Sequence, residues 1–85
     1  MYLHIGKDTA VDMQDVIAVL DMDKTTVSNK SRKFLQEAEK RGEVVDITED
    51  LPQSYIIAEY KGQRKVYISS LAPQTIVRRI KNKKT

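Results

Sequence analysis

Residues 16–20 read VIAVL, a continuous apolar run fenced by Asp15 and Asp21. Five residues are too few for a helix. A strand with one wet face would alternate apolar and polar positions, so an unbroken run suits a strand covered on both faces. A fold built around such a strand has to place a layer on each side of it.

The rest of the chain supplies candidates for those layers. YLHI at the start alternates, with Leu3 and Ile5 on one side and Tyr2 and His4 on the other, as a half-buried strand does. The stretch GKD predicts a turn into a second extended piece around Thr9 to Val11. Residues 28–41 predict a helix in which Ser31, Phe34, Leu35 and Ala38 form one narrow apolar stripe. Ser28, Thr25 or Thr26 can cap its first turn, and Gly42 after Lys40 and Arg41 closes it. VVDIT (44–48), SYIIAEY (54–60) and KVYISS (65–70) follow, joined by EDLPQ and KGQR, and predict an antiparallel meander. Pro73 then opens a last helix with Ile76, Val77 and Ile80 on its stripe. The expected fold is α+β, a small antiparallel-rich twisted sheet with two helices in the order β-β-β-α-β-β-β-α. Residues 1–85 form one domain, with a basic C-terminal tail at 81–85.

Eighty-five residues bury a small core. A chain of this size hides only about 60% of the surface its unfolded form exposes, and disulfides, metals or self-association usually make up the deficit. Here there is no cysteine and a single histidine, which excludes disulfides, thiolate metal sites and a His-rich cluster. No cofactor or metal is expected, and self-association is the remedy left open. No run approaches the ~20 apolar residues of a membrane span, and MYLHIGKD does not look like a targeting segment. The expectation is a soluble cytoplasmic protein with no membrane partner.

Enzyme chemistry finds little to work with. The chain lacks a Gly-x-Gly-x-x-Gly, a Gly-Lys-Ser/Thr loop and a cysteine nucleophile, and His4 has no evident acid or nucleophile partner. Asp12, Asp15, Asp21 and Asp23 do not have the spacing of a calcium loop, and suit turns and caps better. Neither catalysis nor a small-molecule substrate is expected.

The charge distribution is more telling. The net charge is +3, yet residues 78–85 carry five positive charges, which leaves the preceding 77 residues at −2. Let end A of the sheet hold the tip at 49–53 and end B the tip at 61–64. If the last helix packs back along the sheet it travels from A to B. It then delivers Lys81, Lys83 and Lys84 to Lys61, Arg64 and Lys65, while the first helix brings Lys40 and Arg41 to the same end. Concentrated positive charge of this kind is the footprint of a surface for phosphates. The competing reading is that cations at helix C-termini complement the helix dipole and keep an assembly soluble. A further alternative joins acidic end A of one copy to basic end B of the next.

MYLHIG at the start, KFLQEAEKRGEVVDIT in the middle and VYISSLAPQTIVRRI near the end resemble the bacterial RemA/RemB family of extracellular matrix regulatory proteins. The start at Met-Tyr is closer to its RemB branch. The resemblance implies a ring-forming homo-oligomer that binds double-stranded DNA and activates transcription of biofilm-matrix genes. It also exposes departures. RemA-like sequences carry an arginine where this chain has Asp15, and a pair of arginines in the tip that here holds Leu51 and Pro52. Arginine holds phosphate through a planar, permanently charged fork, and these three residues do not. The expected nucleic-acid-binding residues are therefore Lys61, Arg64, Lys65, Arg78, Arg79, Lys81, Lys83 and Lys84. The alternative function is an oligomeric scaffold that modulates another regulator without touching DNA.

Overall fold

A computed structural model describes residues 1–22 and 29–83. The candidate caps Thr25, Thr26 and Ser28, together with Asp23 and Lys84, lie outside the described residues. Strands β1 (Tyr2–Gly6) and β2 (Thr9–Asp12) are followed by a 3-10 turn (Met13–Asp15) and β3 (Val16–Asp21). Helix α1 (Asn29–Lys40), strands β4 (Val44–Asp46), β5 (Ser54–Tyr60) and β6 (Gln63–Ser69), and helix α2 (Pro73–Lys83) complete the order. The predicted α+β succession is observed. The residues expected to be a tail are helical through Lys83.

The strands form two sheets rather than one. β1 and β2 make an antiparallel hairpin, and the other four lie in the order β3-β5-β6-β4. β4 does not join β5 in a meander. It crosses to the far side of β6 and pairs with it in parallel, Val44 beside Val66 and Asp46 beside Ile68. The four-stranded sheet is thus mixed, and β3 and β4 are its edges.

Successive side chains on a strand point to opposite faces, and this chain uses both. Ile56, Val19, Val45 and Tyr67 pack with Leu3, Ile5 and Val11 of the hairpin and with Ile76 and Ile80 of α2. Their sequence neighbours Ile57, Ala18, Val44 and Val66 pack with Phe34, Leu35 and Ala38 of α1. The molecule is therefore three layers: α1, the four-stranded sheet, and the hairpin with α2. The two-faced environment expected for VIAVL holds for Ala18, Val19 and Leu20. Ile17 departs from it, 59% exposed, because β3 bulges between Val16 and Ala18. Val77, predicted on the buried stripe of α2, is 38% exposed.

Two local devices set the directions of the elements. α1 ends in a Schellman motif, with Glu43 N–H donating to the Ala38 carbonyl at 2.9 Å and Gly42 N–H to that of Glu39 at 3.0 Å. Gly42 makes the reversal at φ +72°, a conformation costly for other residues. The β5–β6 hairpin turns on Lys61 (φ 49°) and Gly62 (φ 80°), with Tyr60 opposite Gln63. Positive φ at both central residues marks a type I′ turn, whose twist matches that of the flanking strands.

At end A, a pair of buried serines ties the layers together. Ser54 and Ser69 face each other across β5 and β6 and are fully buried. Ser69 Oγ donates to the Ile5 carbonyl at 2.7 Å and accepts from Leu71 N–H at 3.0 Å. Ser54 Oγ donates to the Leu71 carbonyl at 2.9 Å. The chain is thereby held at Leu71 before it enters α2.

Candidate nucleic-acid interface

The hairpin at end B separates its cations by strand alternation. On β6, Arg64 shares the α1 face with Val66, and Lys65 shares the opposite face with Tyr67. Arg64 stands over the Phe34 ring of α1, 5.9 Å from its centroid, and pairs with Glu59 across the strands at 3.6 Å. Arg41, brought to end B by the Schellman turn, lines a shallow groove with Arg64 and Lys65 and pairs with Glu43 at 3.2 Å. Both arginines are substantially exposed, so these ion pairs add little stability, but they do offset part of the local positive field. Lys65 has no ion pair among the described residues. Lys61 Nζ lies 5.3 Å above the Tyr60 ring.

The gathering of the first helix and the hairpin at end B is therefore observed, with Arg41 as its contribution. The last helix goes elsewhere. α2 packs against β3 and β1. Arg78 and Lys81 line a concavity with Asp21, and Asp21 pairs with Ser54 at end A. Arg79 donates to the His4 carbonyl at 3.0 Å and lines a hollow with Gly6, Glu49 and Ser70, again at end A. No described residue of α2 lines either hollow at end B. The expectation that α2 runs the length of the sheet took account of its direction of entry only. The apolar stripe of Ile76 and Ile80 instead seats it over the seam between β3 and the hairpin. Seven of the eight candidate cations thus fall into two groups, Lys61, Arg64 and Lys65 at one end and Arg78, Arg79, Lys81 and Lys83 on α2, while Lys84 lies outside the described residues.

The α2 group is the less neutralised. The helix Pro73–Lys83 carries no acidic residue, and Arg78 and Lys81 are exposed with no ion pair among the described residues. Asp21 is the one acid among the described residues lining their concavity. Leu51, at the tip where the resemblance leads to arginines, is 76% exposed and offers no charge.

Residues 2–80 match a family model described as RemA-like, extracellular matrix regulatory protein A-like. The chain belongs to the RemA-like family. The matched span includes Arg78 and Arg79 and stops short of Lys81. No individual curated protein matches the chain at a significant level. As a RemA-like protein it carries the name of an extracellular matrix regulator. Among the described residues, no helix of this RemA-like chain is long and apolar enough to cross a membrane.

Proposed function

We propose that this RemA-like chain, closer to RemB than to RemA, is a non-enzymatic bacterial regulator of matrix (biofilm) genes. It acts in the cytoplasm as a homo-oligomeric ring that holds double-stranded DNA by its phosphates. The observation that carries the reading is the C-terminal part of α2, where Arg78 and Lys81 stand exposed and unpaired among the described residues on a helix without acids. Lys83 and Lys84 extend this charge in the sequence, and Arg79 neighbours it. Lys61, Arg64 and Lys65 form a second, partly neutralised contact. Phosphate contacts fix position and carry little base information, so specificity would come from DNA shape and bending. Repeating a modest patch around a closed assembly multiplies its avidity without any new contact.

Duplex DNA titrated at several salt concentrations tests this, with the full chain compared against one stopped after Ile80. Each phosphate contact contributes about −0.9 to the slope of log affinity against log salt. Removing Lys81, Lys83 and Lys84 should therefore flatten the slope by up to about 2.7 per protomer. Undetectable binding at low salt by an intact assembly would refute the DNA reading.

A second reading is a scaffold that modulates another regulator without contacting DNA. It is favoured by β3, an edge strand that presents the exposed Ile17. An open edge carrying an apolar side chain is a natural site for pairing with another polypeptide. That reading predicts a stable complex with a protein partner and no measurable binding to DNA even at low salt, with the assembly intact.

A further inference from the structure

On the hairpin-bearing face of the sheet, end B holds a half-open cavity of about 370 Å³. Its floor is set by register. Ala58 lies opposite Lys65 and Tyr60 opposite Gln63, and the small Ala58 side chain leaves the space open between Tyr60 and Tyr67. Val11 of β2 and Asp15 of the 3-10 turn form the wall, and Lys61 stands at the rim on the strand-connecting turn.

The chemistry of this lining is mixed in a specific way. Two aromatic rings offer flat apolar surface, two ammonium groups attract an anion, and one carboxylate is a pure acceptor. The side chains of Asp15, Gln63 and Lys65 have no hydrogen bond or ion pair among the described residues, and Lys61 contacts only the Tyr60 ring. Cations alone would suit any anion. Rings with cations at one side and a free carboxylate at another suit a planar base that carries a phosphate and displays N–H donors. The volume falls within the roughly 300–1,000 Å³ of small-molecule sites.

The turn supplies an independent observation. Lys61 holds φ 49° at the first central position of the type I′ turn, where Asn, Asp or Gly is favoured and other residues are strained. A lysine kept in that conformation places its ammonium beside Tyr60 at the cavity mouth, 5.3 Å from the ring centroid.

We propose that this cavity binds a guanine nucleotide. The Asp15 carboxylate accepts hydrogen bonds from the two N–H donors on the base edge, Tyr60 and Tyr67 flank the ring, and Lys61 and Lys65 hold the phosphate. Guanine is preferred over adenine because it presents two adjacent donors, a ring N–H and an amino group, to a single carboxylate. Neither Arg78 nor Lys81 lines the cavity, so the proposal stands apart from the leading cations of the DNA surface.

Calorimetric titration of the full chain with GMP, AMP and inorganic phosphate tests it. GMP should bind saturably, AMP about tenfold more weakly, and phosphate more weakly still, the tenfold step being typical of a charge-assisted hydrogen bond. Lys65→Gln should weaken both nucleotides about tenfold. Lys61→Asn, a residue that suits the turn better, should do the same without lowering Tm. Asp15→Asn should abolish the preference for GMP over AMP while leaving phosphate binding unchanged. The proposal is overturned if GMP gives no saturable heat at millimolar concentration, or if phosphate alone binds as tightly as GMP. An undiminished GMP preference in Asp15→Asn also overturns it.

Discussion

The buried serine at the end of β6 allows a quantitative prediction. Ser69 Oγ is enclosed, donates to the Ile5 carbonyl at 2.7 Å and accepts from Leu71 N–H at 3.0 Å. Ser69→Ala removes one atom and leaves two backbone groups without a partner. An unsatisfied buried donor or acceptor costs about 1–3 kcal/mol. Ile5 is fully buried, but Leu71 is partly exposed and its N–H can recruit water. We therefore expect a loss of about 3 kcal/mol, the Ile5 carbonyl accounting for the larger share. A domain of this length has about 4–13 kcal/mol in all, at roughly 0.05–0.15 kcal/mol per residue. Tm should then fall by about 12–24 °C, at about 4–8 °C per kcal/mol. Urea unfolding followed by far-UV circular dichroism measures the loss as a lower midpoint at constant m. Protein concentration is held fixed, since any self-association would alter apparent stability. Ser54→Ala, which removes a donor to the Leu71 carbonyl, is the control and should cost about 1 kcal/mol. A Ser69→Ala loss below 1 kcal/mol, or one equal to that of Ser54→Ala, would refute the assignment of Ser69 as the tie between hairpin, sheet and α2.

Ile56→Ala, at a fully buried position on an inner strand, should cost about 2–5 kcal/mol, also read by urea unfolding. The Thr48 hydroxyl and then its N–H donate to Asp46 at 2.6 and 3.0 Å, and these bonds hold the Asp46 carboxyl below the ordinary aspartate value. The resulting stability is present above the unfolded pKa and is lost as pH falls through the depressed folded one. Thr48→Val should accordingly raise the Asp46 titration midpoint measured by NMR, and its stability deficit should vanish in acid. Leu51→Arg adds positive charge at an exposed tip. It should change stability by no more than about 0.5 kcal/mol, while steepening the salt slope of DNA binding by about one per protomer.

The order of elements was readable because each apolar pattern has its own period. Ile56 beside Ile57, and Val44 beside Val45, serve two faces, while Phe34, Leu35 and Ala38 serve one. Which strand neighbours which was not readable, because period 2 assigns faces and carries no record of partners. That is why β4 was expected beside β5 and is found beyond β6. Its direction was right nonetheless, since the α1 terminus and β4 start had to share end B, and Arg41 does meet Arg64 there. The path of α2 was not readable from chain direction at Pro73, because the packing of Ile76 and Ile80 decides where the helix sits. The contribution of Asp15 to a cavity wall had no signal in sequence, since it depends on β2 and the 3-10 turn folding over Ala58.

Arg64 and Lys65 are chain neighbours, yet one leans toward α1 and Phe34 while the other opens onto the cavity with Tyr67. Adding or deleting one residue at the two-residue reversal of Lys61 and Gly62 would exchange their allegiances, and those of every side chain back to Ser69. Val66 would surface against the wrong layer, and a lysine would be driven beneath α1. Hairpin length is thus under tighter constraint here than side-chain identity: a substitution in this loop acts at one position, whereas a frame shift of one would displace every side chain of β6 at once.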